Sequence, residues 1–316
     1  MEVISNSVED KLIDGLSYKL EPTASYITER KSATFWAQGS NQYSPNGVKV
    51  IKLLLNGDNW LDPSTVKFMF NLTNLENKVL RTIGGPWSFF RRLRVLCNGA
   101  LIEDIDYYNH VHQMFDVLQS ENVRNNEDVE GFGIRADGGF GNKLINAPLD
   151  LDTSELAALG QYVSVDKNGS KAVSFSLLSG ILNQGKMLPL KYCPITIELE
   201  LVNNFYDPII SGALANDGRS AVIMKLGLTS TNTSSIWQLD NVQIKADIVR
   251  MDNQLENEFA QRFLSGQSIP INYSTYISQI QALSGQNTSV NVTRAISRLK
   301  SVFLTFTPNS NFAGNY

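Results

Sequence analysis

Apolar side chains recur at every second position along this chain, and that period restricts the fold more than any other feature. In "STVKFMFNLTN" Val66, Phe68, Phe70 and Leu72 fall on one side, with Lys67, Met69 and Asn71 on the other. "ITIELELV" sets Ile195, Ile197, Leu199 and Leu201 against Thr196, Glu198 and Glu200, and "NVQIKADIV" repeats the device with Val242, Ile244, Ala246 and Ile248. Successive strand side chains point to opposite faces, so this pattern buries one face of a sheet and wets the other. Residues 48–55, 92–97, 172–178 and 299–306 read as further strands. Turn chemistry separates them at Asn56-Gly57-Asp58, Asp62-Pro63, Asn98-Gly99, Asn168-Gly169 and Asp217-Gly218. Many short, half-buried strands joined by such turns predict an all-β antiparallel sandwich or barrel and exclude a βαβ fold.

Two helices interrupt the strands. Asp106 is placed to cap the first, with Tyr108, Val111, Phe115 and Leu118 on one stripe. Asp252 is placed to cap the second, with Leu255, Phe259 and Phe263 spaced four apart. Each helix follows an alternating strand, "ALIEDI" or "IKADIVRM", so a strand–Asp–helix unit occurs twice and suggests a duplicated architecture. The Gly-rich, polar segments 130–143 and 211–220 read as long exposed loops, and the second is a natural boundary between halves.

The formal charge of −4 provides no global basic field for a nucleic-acid backbone, so any such contact is local. The first fifteen residues lack a basic start and an apolar middle, and no apolar run approaches the ~20 residues that span a bilayer. Synthesis in a reducing cytoplasm, without a signal peptide, is therefore expected. Cys97 and Cys193 lie in strand-like stretches without metal-type spacing and read as buried, inert thiols.

The densest chemistry lies in "FFRRLRVLCNGALIEDIDYYNHVH", which holds both histidines of the chain. His110 and His112 are two apart on a helix, so their side chains diverge, whereas a helical zinc pair wants a spacing of four. One histidine is expected to face solvent and the other to edge the helix–sheet contact. No G-x-S-x-G elbow accompanies them. Glu103 and Asp104 are adjacent on a strand and point to opposite faces, which argues against a carboxylate pair. No catalytic residue, metal or cofactor is assigned, and the chain is not expected to be an enzyme. Arg92 and Arg94 share one strand face opposite Leu93 and Val95, while Arg91 joins the other side at the strand's start. Two readings of these arginines stay open: ion pairs on a solvated face or subunit interface, and local phosphate contact.

The order of motifs resembles a known family. "NGDNWLDPSTVKFMFNLTN" followed by "GGPWSFFRRLRVLCNGALIEDIDYYNHVHQMF" looks like the first roll of the double-jelly-roll major capsid proteins, in the style of Polinton-like viruses, adintoviruses and virophages. The residues that carry the resemblance are Trp60, Asp62 and Pro63 in the turn before an alternating strand. They continue with Phe90, Arg92 and Arg94, then Asn98 and Gly99, then Glu103, Asp104, Ile105, Tyr108 and Asn109 at the helix start, where Asp106 adds its cap. "LLSGILNQGKMLPLKYCPITIELELV" is similar to the closing strands of that roll, and "WQLDNVQIKADIVRMD" and "RAISRLKSVFLTF" to strands of the second.

The resemblance implies a double jelly roll: an arm over 1–30, a first roll over 31–210, a linker loop at 211–220 and a second roll over 221–316. Five or six strand-like stretches in the last segment, against about eight in a full roll, imply that it is short or truncated. The implied function is that of a major capsid protein whose homotrimers form pseudo-hexagonal tiles of an icosahedral shell in the virion. Penton and minor capsid proteins would be its neighbours, and any nucleic-acid contact would be indirect. The arm would link trimers or touch inner components. Two other classes remain: a single-jelly-roll penton or minor capsid protein, and a carbohydrate-binding jelly roll.

Overall fold

The computed structural model describes residues 27–78, 80–82, 85–120, 164–165, 167–209, 234–282, 289–292, 296 and 298–305. The main elements, in chain order, are β1 (Ile27–Gln38), β2 (Val50–Leu55), β3 (Lys67–Asn74), β4 (Phe90–Cys97), β5 (Ala100–Asp106), α1 (Tyr108–Val117), β6 (Ser170–Phe175), β7 (Ile195–Leu201), β8 (Trp237–Met251) and α2 (Asn253–Leu264). Two-residue pairings at Trp60–Leu61 and Leu188–Pro189 extend the sheet beside β8.

The strands run in the order β6-β3-β8-β1 and β2-β7-β4-β5, with every pairing antiparallel. The two halves join where Ala37 and Gln38, at the end of β1, pair with Leu53 and Lys52 of β2. First pairs with last, β2 with β7, β3 with β6 and β4 with β5. This nesting is what results when a long antiparallel hairpin winds round a barrel, and it defines an eight-stranded jelly roll.

The alternation read from sequence sets the burial. Phe68, Phe70 and Leu72 of β3 point inward, as do Ile195, Ile197, Leu199 and Leu201 of β7. Their faces meet across the sandwich: Phe68 packs edge-on to Phe90 with ring centroids 5.4 Å apart, and Phe89 meets Trp237 at 4.8 Å. Each such aromatic, fully buried, contributes about 1.5–3 kcal/mol. In β8 the register shifts between Asp240 and Gln243, and Asn241 takes φ 54°. That bulge lets Leu239 and Val242 both reach the core, three positions apart.

The arrangement departs from the sequence expectations at four places. Residues 237–251, expected in a second roll, form β8, which lies between β3 and β1 and closes the first sandwich. Periodicity states that a strand has one apolar face, but it does not state which sheet accepts it. Past α2, residues 265–282, 289–292 and 298–305 hold no regular secondary structure, so the strand expected at 299–306 is absent over 299–305. Asp106 does not cap α1. Tyr107 occupies the N-cap in the left-handed region at φ 49°, and Asp106 Oδ1 instead accepts from the Tyr107 N–H at 3.0 Å. Cys97 and Cys193 are not separate thiols but form a disulfide, with Cα atoms 5.6 Å apart. The expected loop at 130–143, the linker at 211–220 and most of the expected arm lie outside the described residues. Asp252 does cap α2, accepting from the Gln254 N–H at 3.0 Å.

Candidate functional site

The charged residues singled out in sequence converge on the outer face of the β2-β7-β4-β5 sheet. Alternation turns Leu93 and Val95 of β4 into the core and leaves Arg92 and Arg94 outside. Arg91 was expected on the other side. A register shift between Glu200 and Leu201 makes it an extra residue on β4, and it lies near Asp106 at 3.8 Å with its guanidinium over the Tyr107 ring. Arg92 makes a bidentate pair with Asp104, both N–H···O distances being 2.8 Å. That pair holds the Arg92 guanidinium well above its ordinary pKa. Arg94 reaches Glu198 at 3.3 Å and Lys52 reaches the same carboxylate at 3.7 Å. The cations are thus matched by carboxylates of their own sheet, through facing and diagonal cross-strand contacts. A phosphate at this face would have to compete with them.

The motif residues ahead of β3 form a second junction. Asp62 caps the turn Pro63–Thr65, accepting from the Ser64 N–H, with Pro63 at its first position. Arg30 of β1 bridges Asp62 at 2.8 Å and Asp247 of β8 at 3.2 Å. Hydrogen bonds from Ser64 and Arg30 hold the Asp62 carboxyl below the usual range. Trp60 packs against Phe259 of α2 with ring centroids 4.9 Å apart and the planes tilted by 54°. Asn98 (φ 48°) and Gly99 (φ 81°) make the tight β4–β5 turn, where left-handed backbone at both positions favours this pair. Asn109 is buried at the start of α1, where its side-chain oxygen accepts from the His110 N–H.

Glu103 is the residue whose setting the sequence did not convey. It points inward as alternation requires, away from Asp104, and is only 2% exposed. Its carboxylate accepts from the Ser179 hydroxyl, from the Gly180 N–H at 2.7 Å and from the Thr275 hydroxyl at 2.7 Å. The segment past α2 is fastened here: Tyr273 donates to the Ile102 carbonyl, Ser278 to that of Asp106, and Tyr276 packs on Phe115. Burial, and then the charge of Glu103, push the Tyr273 and Tyr276 hydroxyls up in pKa. A strap therefore runs along β5, the last strand of its sheet.

His112 stacks on Trp87 at 4.1 Å and meets Tyr108 and Phe175 edge-on, placing it at the helix–sheet contact. With one histidine expected at solvent, His112 at the contact leaves His110, which is half-buried, and burial lowers its pKa. Among the described residues no group of three His, Cys, Asp or Glu is placed to hold a metal ion. A surface depression of about 380 Å³ is lined by Thr28, Glu29, Arg250, Met251, Asp252 and Asn253.

The fold and these surfaces define a mostly β, antiparallel jelly-roll protein. No protein-family model matches the sequence, and no curated protein matches it. Among solved structures the chain is similar to PBCV-1 VP54 as fitted into a reconstruction of the virophage Sputnik, at 12% identity and a TM-score of 0.42, covering 77% of this chain and 47% of that one. A quasi-atomic model of the PBCV-1 virus capsid matches at 14% identity and a TM-score of 0.42 over the same shares. The Faustovirus major capsid protein matches at 9% identity and a TM-score of 0.37, covering 79% of this chain and 59% of that one. The chain spans about half the length of these structures.

Proposed function

We propose that this chain is a structural subunit of a virion, the first roll of a double-jelly-roll major capsid protein whose homotrimers form pseudo-hexagonal tiles of an icosahedral shell. The observation that carries the reading is the motif run from Trp60 to Asn109, each part of which has a building role. Trp60, Asp62 and Pro63 lock β1, β8 and α2 together. Arg92, Arg94 and Asp104 lace the outer sheet face, and Asn98-Gly99 turns the hairpin. Function then means forming contacts between subunits, with penton and minor capsid proteins as further neighbours.

A second reading, the single-roll penton or minor capsid protein, is favoured by a different observation. β1 to β8 already make a full eight-stranded roll. Native mass and negative-stain images of the full chain at high concentration distinguish the two. Three subunits with a pseudo-hexagonal outline are expected, and five subunits would replace the first reading by the second. A monomer that forms no particle at any concentration, or that binds on a glycan array, would overturn both.

A further inference from the structure

The outer face of the β2-β7-β4-β5 sheet carries three rows that run across the strands in register. The first is three leucines and a threonine: Leu54, Thr196, Leu96 and Leu101. The second alternates in charge: Lys52, Glu198, Arg94 and Asp104. The third is Val50, Glu200, Arg92 and Asp106. Leu101 is 54% exposed and Val50 42% exposed. Counted with Arg91, the face holds four cations and four carboxylates, so it has no net charge to draw nucleic acid or an anionic membrane.

We propose that this face is a self-complementary surface through which two copies of the chain pair about a dyad parallel to the strands, midway between β7 and β4. A row that alternates plus, minus, plus, minus becomes its own complement when reversed left to right, which is what that dyad does. Lys52 then meets the partner's Asp104, Glu198 the partner's Arg94, and Glu200 the partner's Arg92. In the first row Leu54 meets the partner's Leu101, and Thr196 the partner's Leu96. Val50 and Asp106 fall at the rim. Such an isologous contact uses one patch twice, and stacked sheets with nearly aligned strands pack about 10 Å apart. A copy of this chain in this orientation matches the charged columns without any new charge, and that commits the occupant. Four strands at ~4.8 Å and three rows at ~7 Å cover roughly 400 Å² on each side. That is below the standard ~800 Å² per partner, so the pairing is weak and reversible. The inference rests on the sheet face and not on the shell reading.

Cross-linking of the full chain at about 100 µM tests it. In one molecule Leu54 and Leu101 lie three strands apart, roughly 14 Å, beyond the ~7 Å reach of a disulfide. Facing Cα atoms on sheets ~10 Å apart are beyond direct oxidation too. Leu54→Cys/Leu101→Cys is therefore joined with a short bifunctional thiol reagent. It is expected to give a species of twice the mass, with the two new cysteines in one linked peptide. Either single variant places like residues equally far apart across the dyad and is expected to give none. Arg94→Glu should reduce the linked product at least tenfold, and Arg94→Glu/Glu198→Arg should restore it. Absence of the product from a folded double variant would overturn the proposal. Equal linking by the single variants, or indifference to Arg94→Glu, would do the same. None of these readouts depends on whether trimers or pentamers form.

Discussion

At the scale of single residues, Glu103 joins parts of the chain that lie 76 and 172 positions away, at Ser179 and Thr275. That Glu103 and Asp104 face opposite ways was legible, because a strand alternates; that Glu103 is the one pointing inward was not. Its partners were not legible, since nothing local marks Ser179 or Thr275 as donors to a distant carboxylate. Gly180 shows how tightly the strap lies against this carboxylate: a Cβ there would stand 2.1 Å from the Ser274 carbonyl oxygen. Gly180→Ala should therefore lift residues 271–279 from β5 at a cost of about 1–3 kcal/mol. Hydrogen exchange should speed up in the strap and in β5 while β3 and β7 keep their protection. Unchanged exchange in the strap would contradict the latch. Asp207 makes a separate prediction. Burial raises its pKa despite an N–H from Asn204. An acid with a raised folded pKa loses stability as pH rises, because the unfolded chain ionises first. That loss begins near the ordinary carboxylate value and is complete above the raised one. The stability of Asp207→Asn relative to the parent should consequently grow between pH 3 and pH 7, as read from paired thermal melts.

At the scale of elements, β3 and β7 were legible from their alternation, and α2 from its cap and its spacing of four. The start of α1 was misread because Asp106 is a good capping residue one position too early. The backbone turns through Tyr107 instead, and a left-handed tyrosine carries no local sequence signal. Cys97 was legible as a strand residue, whereas Cys193, also expected in a strand, lies in the bend just before β7. The pair was not legible, because pairing depends on β4 and β7 being neighbours. Ile195 faces Cys97 in that register, which brings Cys193 alongside. The bond joins the end of β4 to the bend that leads into its ladder partner β7, at a sequence separation of 96. Loop closure of that length is at the strong end of disulfide effects, typically about 2–4 kcal/mol. Reduction should lower the midpoint of denaturant unfolding without changing the strand content seen by circular dichroism. Cys97→Ser/Cys193→Ser should show the lower midpoint with or without reductant. A parent midpoint indifferent to reductant would show that the bond does not form in solution.

At the scale of the whole molecule, the decisive element is the one that sequence reading assigned to a second roll and the fold places in the first. β8 has the apolar alternation expected of a strand in any sheet, and it follows the expected boundary at 211–220. In the fold it lies between β1 and β3 and supplies Trp237, Leu239, Val242, Ile244, Ala246 and Val249 to the core. At about 1.5–3 kcal/mol for each large side chain, its burial is comparable to the whole stability of a domain, about 5–15 kcal/mol. Its absence would also leave the inner edges of β1 and β3 unpaired. A chain ending at residue 220 holds every strand of the first roll as drawn from sequence, yet it should fail to fold and should aggregate. A chain ending at residue 264 keeps β8 and α2 and loses the strap over β5. It should fold, melt in one cooperative transition and be less stable than the full chain by the latch at Glu103. Cooperative unfolding of the shorter fragment would return β8 to a second sandwich. Failure of the longer one would make the strap, rather than β8, the element that completes the roll.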